Sequence, residues 1–359
     1  WGAYVIDEWI SGDHITLSRN DNYFRIGDGL PKFDFLVFRF VDDAQAAVDA
    51  LLVGECDYVD QTALTNVQIE RLLELQENGL LKFHYQLSES WEQALFGIDS
   101  LQEDRLNLFA EKEARQAVAM CIDRQALVDE LFMGQSDIPD SYLVADHTLF
   151  NSDVNIYEFN PSGALELLAS IGWVDYDQNP DTPLTSVGIE GLPDGTVFEF
   201  DYLIPDDMER QQAAKIIKSS LAQCGIKANL DVQDWEQFLS PGPDGQVFGR
   251  TFEMTQFAWA ESQTSACFLF KSEEISGPYP EFAKGWGGSN LAGYNNPEFD
   301  QACRTARNTL PDLDENRQAH YLAQTIFFDE LPAIPLYWQP KLMAMRPDMC
   351  SVSSGREIV

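Results

Sequence analysis

Strand signals separated by amphipathic helices, repeated in two blocks, constrain this chain more than any other feature. In the first block "FDFLVFRFV" is rich in strand formers, and "DDAQAAVDALLVGE" reads as a helix with Asp42 or Asp43 at its start and Gly54 at its end. "CDYVD" is strand again, so the unit predicts neighbouring parallel strands joined by a crossover. "LTNVQIERLLELQENG" adds a helix and "LKFHYQL" a strand. From about residue 94 the pattern restarts. "EKEARQAVAMCIDRQALVDELFMG" places Ala117, Met120, Cys121, Leu127 and Leu131 at helical spacing, and "NPSGALELLASIGW" is a further helix. "TVFEFDYLIP", "ERQQAAKIIKSSLAQCG" and "IKANLDVQDW" then form a second strand–helix–strand unit. Two helices, "NPEFDQACRTARNTL" and "DENRQAHYLAQTIFFDE", precede the strand-like "PAIPLYWQPKLMAMRP". The expectation is an α/β chain in two lobes.

Composition bears on partners. The chain carries 59 acidic and 23 basic residues, a net charge of −36. Such a surface repels phosphate backbones and anionic lipid, which argues against nucleic acid as a partner; its plain reading is solubility. No apolar run approaches the roughly 20 residues that crossing a bilayer takes. The opening residues alternate as "YVIDEWI", turn at "SGD" and continue as "HITLSRN", rather than showing the basic-then-apolar pattern of a signal peptide. A chain that opens inside a hairpin reads as a fragment of something longer.

Cys56, Cys121, Cys224, Cys267, Cys303 and Cys350 include no CxxC pair, and the four histidines are scattered, so zinc-ligand spacing is absent. Six widely spaced cysteines fit disulfides in an oxidising compartment or buried thiols in a reducing one. Neither a GxSxG nucleophile pattern nor a P-loop is present.

Four phrases follow one another from end to end of the chain: "WGAYVIDEWISGDHITLSRNDNYF", "FRFVDDAQAAVDALLVGECDYVD", "EARQAVAMCIDRQALVDELFMG" and "ELPAIPLYWQP". Together they resemble the extracellular solute-binding proteins of family 5, the peptide- and nickel-binding subunits of ABC importers. The resemblance implies a type II periplasmic-binding-protein fold, two lobes of mixed sheets flanked by helices. Residues 1–93 and the return segment 342–359 would form an incomplete lobe I, because the family begins earlier, and residues 94–341 a lobe III. It further implies a monomeric, extracytoplasmic subunit without catalysis or cofactor, lipid-anchored through the missing N-terminus. Such a subunit captures a peptide or similar small solute between two lobes and delivers it to a membrane permease. An oligosaccharide-binding member is the alternative, as is a carboxylate-dependent glycoside hydrolase, although no carboxylate pair is singled out by context. A surface sensor on the same fold is a third reading.

The family's peptide binders place an acid shortly after a tryptophan, where it meets the substrate's α-amine. In "TQFAWAESQTSACFLF" the matching residues are Trp259 and Glu261; the family's usual acid is Asp, three places after the tryptophan. Period-two spacing puts Trp259 and Glu261 on one side of an extended segment. Trp259 suits stacking on a sugar ring or a peptide side chain, or plain core packing. The glycine-rich "GWGGSNLAGYNNPEFD" makes Trp286 and Asn290 further ligand-binding candidates, against a simple long loop. Trp91, just before "ALFGID" at the presumed crossover, is the last. Asp175, Asp177, Asn179 and Asp181 alternate as in a calcium loop, but Pro180 and Ser186 stand where that loop needs glycine and a bidentate glutamate, so a solvated acidic turn is the expectation. Given the resemblance, the cysteines are expected as disulfides, paired Cys267–Cys303, Cys121–Cys224 and Cys56–Cys350.

Overall fold

The structure, a computed structural model, describes residues 1–145, 147–260 and 266–350. The chain divides into two compact units: Trp1–Gln86 together with the return segment from Lys341, and Leu87–Pro340. The crossings therefore fall at 86/87 and 340/341 rather than at 93/94 and 341/342.

In the first unit, β1 (Tyr4–Ile10), β2 (His14–Arg19) and β3 (Phe35–Arg39) form an antiparallel sheet. Register aligns Trp9 with Ile15 and Phe38, and Ile6 with Leu17 and Leu36, so these apolar side chains gather on one face. Trp9 remains 66% exposed and Phe38 54%. Helix α1 (Ala44–Leu52) starts where the Asp43 carboxylate accepts the Ala46 N–H at 2.7 Å, and it buries Ala47, Val48 and Leu51. It ends at Gly54, whose φ of +78° needs a residue without Cβ. Strand β4 (Tyr58–Val59) does not pair with β3. It hydrogen-bonds antiparallel to the far end of the last strand, Val59 opposite Ala344, so the first predicted parallel unit is not formed. The α1 connection carries the chain out of one sheet into another. After α2 (Ile69–Glu77), strand β5 (Lys82–Phe96) runs through the first crossing.

The helix expected over 111–134 is two, α3 (Lys112–Cys121) and α4 (Arg124–Phe132). Ile122 is extended and Asp123 accepts the Ala126 N–H at 3.0 Å, so a side-chain cap inside an apolar run restarts the helix. Next come α5 (Pro161–Ser170) and the short pair β6 (Trp173–Val174) and β7 (Thr185–Ser186). Strand β8 (Glu199–Pro205), helix α6 (Met208–Ala222) and strand β9 (Lys227–Gln233) form the second predicted unit, parallel from Glu199 opposite Lys227 to Pro205 opposite Gln233. Helix α7 (Trp235–Phe238) follows, and then β10 (Met254–Ala260), parallel to β8 and antiparallel to β5. Helices α8 (Pro297–Asn308) and α9 (Asp314–Glu330) lead to β11 (Ala333–Met345), which runs through the second crossing. The second unit's sheet is mixed, in the order β11-β5-β10-β8-β9.

Aromatic side chains form its core. Phe109 packs on Phe96 and Phe200, and Trp173 stacks on Phe198 at 4.2 Å between ring centroids. Each such burial contributes about 1.5–3 kcal/mol. Disulfides join Cys121 to Cys224 and Cys267 to Cys303. Cys56 and Cys350 are free thiols, so the third expected bridge is absent; the half-buried Cys56 Sγ instead faces the Tyr58 carbonyl at 3.5 Å, and Cys350 is exposed. Among the described residues no helix is long and apolar enough to cross a membrane.

Candidate functional site

Strands β8, β9 and β10 are parallel, so their carboxyl ends, at Pro205, Gln233 and Ala260, share one edge of the second unit's sheet. Ligands of open α/β sheets bind beyond that edge. Antiparallel β5 brings Trp91 and Glu92 to the same place, with Trp91 opposite Trp259 and Glu92 opposite Ala258. Successive residues alternate faces, so the tryptophans lie on one face and Glu92 on the other.

On the tryptophan face, Trp91 is fully buried, edge-on to Phe327 of α9 at 6.4 Å. It is a core residue and not the ligand-facing one expected. Trp259 is half-buried and touches Phe257 edge-on at 6.2 Å, which leaves part of its indole free for a solute. Glu261 lies outside the described residues.

On the other face a polar cluster is buried. Arg210, in the first turn of α6, clamps Glu92 with two parallel hydrogen bonds, Nε to Oε1 at 2.8 Å and Nη2 to Oε2 at 2.9 Å. Gln339 of β11 donates to Glu92 Oε2 at 3.1 Å and to Glu209 Oε1 at 2.8 Å, and the Tyr337 hydroxyl donates to the same Glu209 oxygen at 3.2 Å. Tyr202 of β8 donates to Gln256 of β10 at 2.5 Å. Asp207 caps α6 by accepting the Arg210 N–H at 3.0 Å. The guanidinium also lies over the Trp235 ring, 5.4 Å from its centroid, and Trp235 is 41% exposed.

Fully buried Glu92 is compensated by a bidentate partner, the arrangement a buried carboxylate requires. Glu209 has no such partner. Burial, and then the negative charge of Glu92, push its carboxyl up to about 7 despite the Gln339 hydrogen bond and the Arg210 charge. Burial works against the charge on Arg210, but Glu92 outweighs it and holds the guanidinium above its ordinary value. Tyr202 and Tyr337 are both pushed up, by burial and then by Glu92.

The other candidates have structural partners. Asn290 is buried, donates to the carbonyls of Lys271 and Tyr294 at 3.0 and 2.8 Å, and accepts the Tyr294 N–H at 3.2 Å. Its amide staples the loop and is not turned to a ligand. Half-buried Trp286 packs on the backbone at Gly242, where an added Cβ would meet its ring at 2.3 Å. In the acidic turn, Asp175 and Asp177 accept the Asn179 N–H, Asn179 accepts that of Asp181, and Asp177 also accepts the Thr182 hydroxyl. Those oxygens serve the turn itself, and among the described residues no group of three or more His, Cys, Asp or Glu is placed to hold a metal ion.

Sequence reasoning missed Glu92, Glu209, Arg210, Trp235 and Gln339. Glu209 and Arg210 read as an ordinary charged first turn of a helix, and Glu92 as the polar position of an alternating strand. An offset signal was present, since "SESWEQALF" puts a charge between residues that must be buried on both faces.

A sequence profile described as "Bacterial extracellular solute-binding proteins, family 5 Middle" matches residues 1–272. The oligopeptide-binding protein AppA of Bacillus subtilis is 25% identical over 353 residues, covering 96% of this chain and 57% of AppA. Among solved structures, the oligopeptide-binding protein of Thermus thermophilus complexed with a pentapeptide superposes with a TM-score of 0.72 at 23% identity, over 96% of this chain and 58% of that one. NikA of Brucella suis, in complex with Fe(III)-EDTA, gives 0.79 at 15% identity, over 99% and 65%. The chain thus spans little more than half the length of the curated relative, and the structural likenesses establish the type II binding-protein fold.

Proposed function

The chain belongs to the bacterial extracellular solute-binding proteins of family 5, and on that premise we propose that it captures a peptide outside the cytoplasm for the permease of an ABC importer. The observation that carries this reading is the carboxyl edge of β8, β9 and β10. Two part-exposed tryptophans stand there, Trp259 on one face of the sheet and Trp235 against Arg210 of the cluster on the other. Indole faces favour the flat amides, the apolar side chains and the ammonium group of a peptide. The likeness to AppA over nearly the whole chain points the same way.

In this reading Glu261 pairs with the peptide's α-amine and Trp259 stacks on the adjoining backbone. Titration calorimetry with a mixed set of tri- to pentapeptides is expected to show saturable one-to-one binding, with the peptides recovered intact. Consumption of the peptides, or heat with β-linked oligosaccharides and none with peptides, overturns it. Glu261→Gln is expected to weaken binding about tenfold or more, the worth of one charge-assisted pair, and to leave an N-acetylated peptide unaffected.

A further inference from the structure

Two acids in the second unit share one amide, and the guanidinium beside them is committed to one of the two. Gln339 Nε2 spans Glu92 Oε2 at 3.1 Å and Glu209 Oε1 at 2.8 Å. One –NH₂ group that reaches both carboxylates holds them within a few ångströms of each other. Arg210 spends its Nε and Nη2 on Glu92, and among the described residues no other cation pairs with either acid. The remaining charge near the guanidinium is Asp207, 3.7 Å from Nη1, which adds to the excess of negative charge. The other groups facing Glu209 are Tyr337 and Gln339 from β11, both neutral donors, and Tyr202 from β8 lies behind Glu92 and stays un-ionised. Like charges this close and this dry do not both ionise without cost.

We propose that Glu209 is a proton switch on strand β11. With its proton in place Glu209 adds no charge to the Glu92–Arg210 pair, and Tyr337 and Gln339 are held against the start of α6. When the proton leaves, the carboxylate turns to solvent, Tyr337 loses its acceptor, and Gln339 is left with Glu92 alone. Arg210 is then drawn towards a cluster without Glu209, which shifts its seat over Trp235. The geometry favours an outward turn because Glu209 is half-buried, whereas Glu92 is wholly enclosed and already neutralised. Gln339 lies one residue before the end of the second unit, so the grip acts on the strand as it leaves that unit. The direction of the Glu209 shift, raised by burial and by Glu92, agrees with the geometric argument. The link to solute capture rests on the reading of this edge as the solute edge; the switch itself does not.

The test therefore needs no ligand. Amide hydrogen exchange of the full chain and of Glu209→Gln is followed from pH 5 to pH 8, with rates corrected for intrinsic exchange. In the wild type, opening of the amides at 336–339 is expected to grow about tenfold or more between pH 5 and pH 7 and to level off above, since opening releases one proton over that range. Glu209→Gln cannot ionise and is expected to give a flat profile. Trp235 emission, taken as wild type minus Trp235→Phe, is expected to change over the same range in the wild type, and this second readout stands if the Gln variant fails to fold. A flat wild-type profile, or one slope shared by both proteins, overturns the switch. Loss of peptide binding with the switch intact would instead overturn the proposed function, so the two failures are distinguishable.

Discussion

Arg210 carries a buried acid that nothing else neutralises among the described residues. Its side chain is 13% exposed and that of Glu92 fully buried, so removing the cation strands a charge in low dielectric. Arg210→Met is expected to cost about 3–5 kcal/mol in urea denaturation, whereas Arg210→Met with Glu92→Met is expected to recover most of the loss, because the pair is removed as a unit. Glu209 gives the opposite signature. Its folded carboxyl sits at about 7 against an ordinary 4.5, so the folded chain holds the proton more tightly than the unfolded chain. Its contribution to stability is full below about pH 4.5 and drains away as pH climbs to 7, with about 3 kcal/mol as a ceiling at roughly 1.4 kcal/mol per unit. Glu209→Gln is expected to remove that slope from melting curves taken between pH 4.5 and 7. None of these roles was legible from residue type. A charged residue at a helix start and another in a strand look solvent-exposed until their partners, more than a hundred residues apart in the chain, are brought together.

Among the elements, what local chemistry governs was readable and what pairing governs was not. The β8–α6–β9 unit follows from its periodicities, its Asp207 cap and the turn that ends α6. The α3–α4 break was hidden, because the apolar spacing runs on through Asp123 and only the cap geometry divides it. The partner of β4 was also hidden, since two residues carry no information about which strand will accept their hydrogen bonds. The disulfides tie elements distant in sequence: Cys121–Cys224 joins the end of α3 to the turn after α6 across 103 residues, and Cys267–Cys303 joins a single 3₁₀ turn to α8 across 36. Loop-closure entropy predicts ceilings of about 5 and 4 kcal/mol respectively. Replacing Cys121 and Cys224 by alanine is therefore expected to lower the denaturation midpoint more than the same change at Cys267 and Cys303, with each variant measured under non-reducing conditions.

At the scale of the molecule two properties stand apart from the site. The net charge of −36 sets how the surface meets other macromolecules and says nothing of the fold. Against that acidic surface, the β1–β2–β3 sheet leaves Ile6, Trp9 and Phe38 in water on one face. A contiguous apolar face of this kind binds hydrophobic dyes. Trp9→Lys with Phe38→Lys is expected to cut the fluorescence of an added dye such as ANS severalfold at native pH. The unfolding transition of the second unit, followed by Trp173 and its stacked partner Phe198, is expected to stay where it is, because that core lies in the other unit. An unchanged dye signal would place the apolar surface elsewhere.

By itself the sequence determined the α/β class and the order of most helices and strands, because periodicity, caps and turn residues act over a few neighbouring positions; the family came from the resemblance of four phrases in order. The sequence also singled out Trp259, which lies at the end of β10. Tertiary structure alone decided that Trp91 and Asn290 are packing residues, that β4 joins the returning strand, and that Glu92, Glu209, Arg210 and Gln339 form one cluster. Those outcomes depend on which distant groups share a dry volume, and the free energy of a charge is set by that company rather than by its place in the chain.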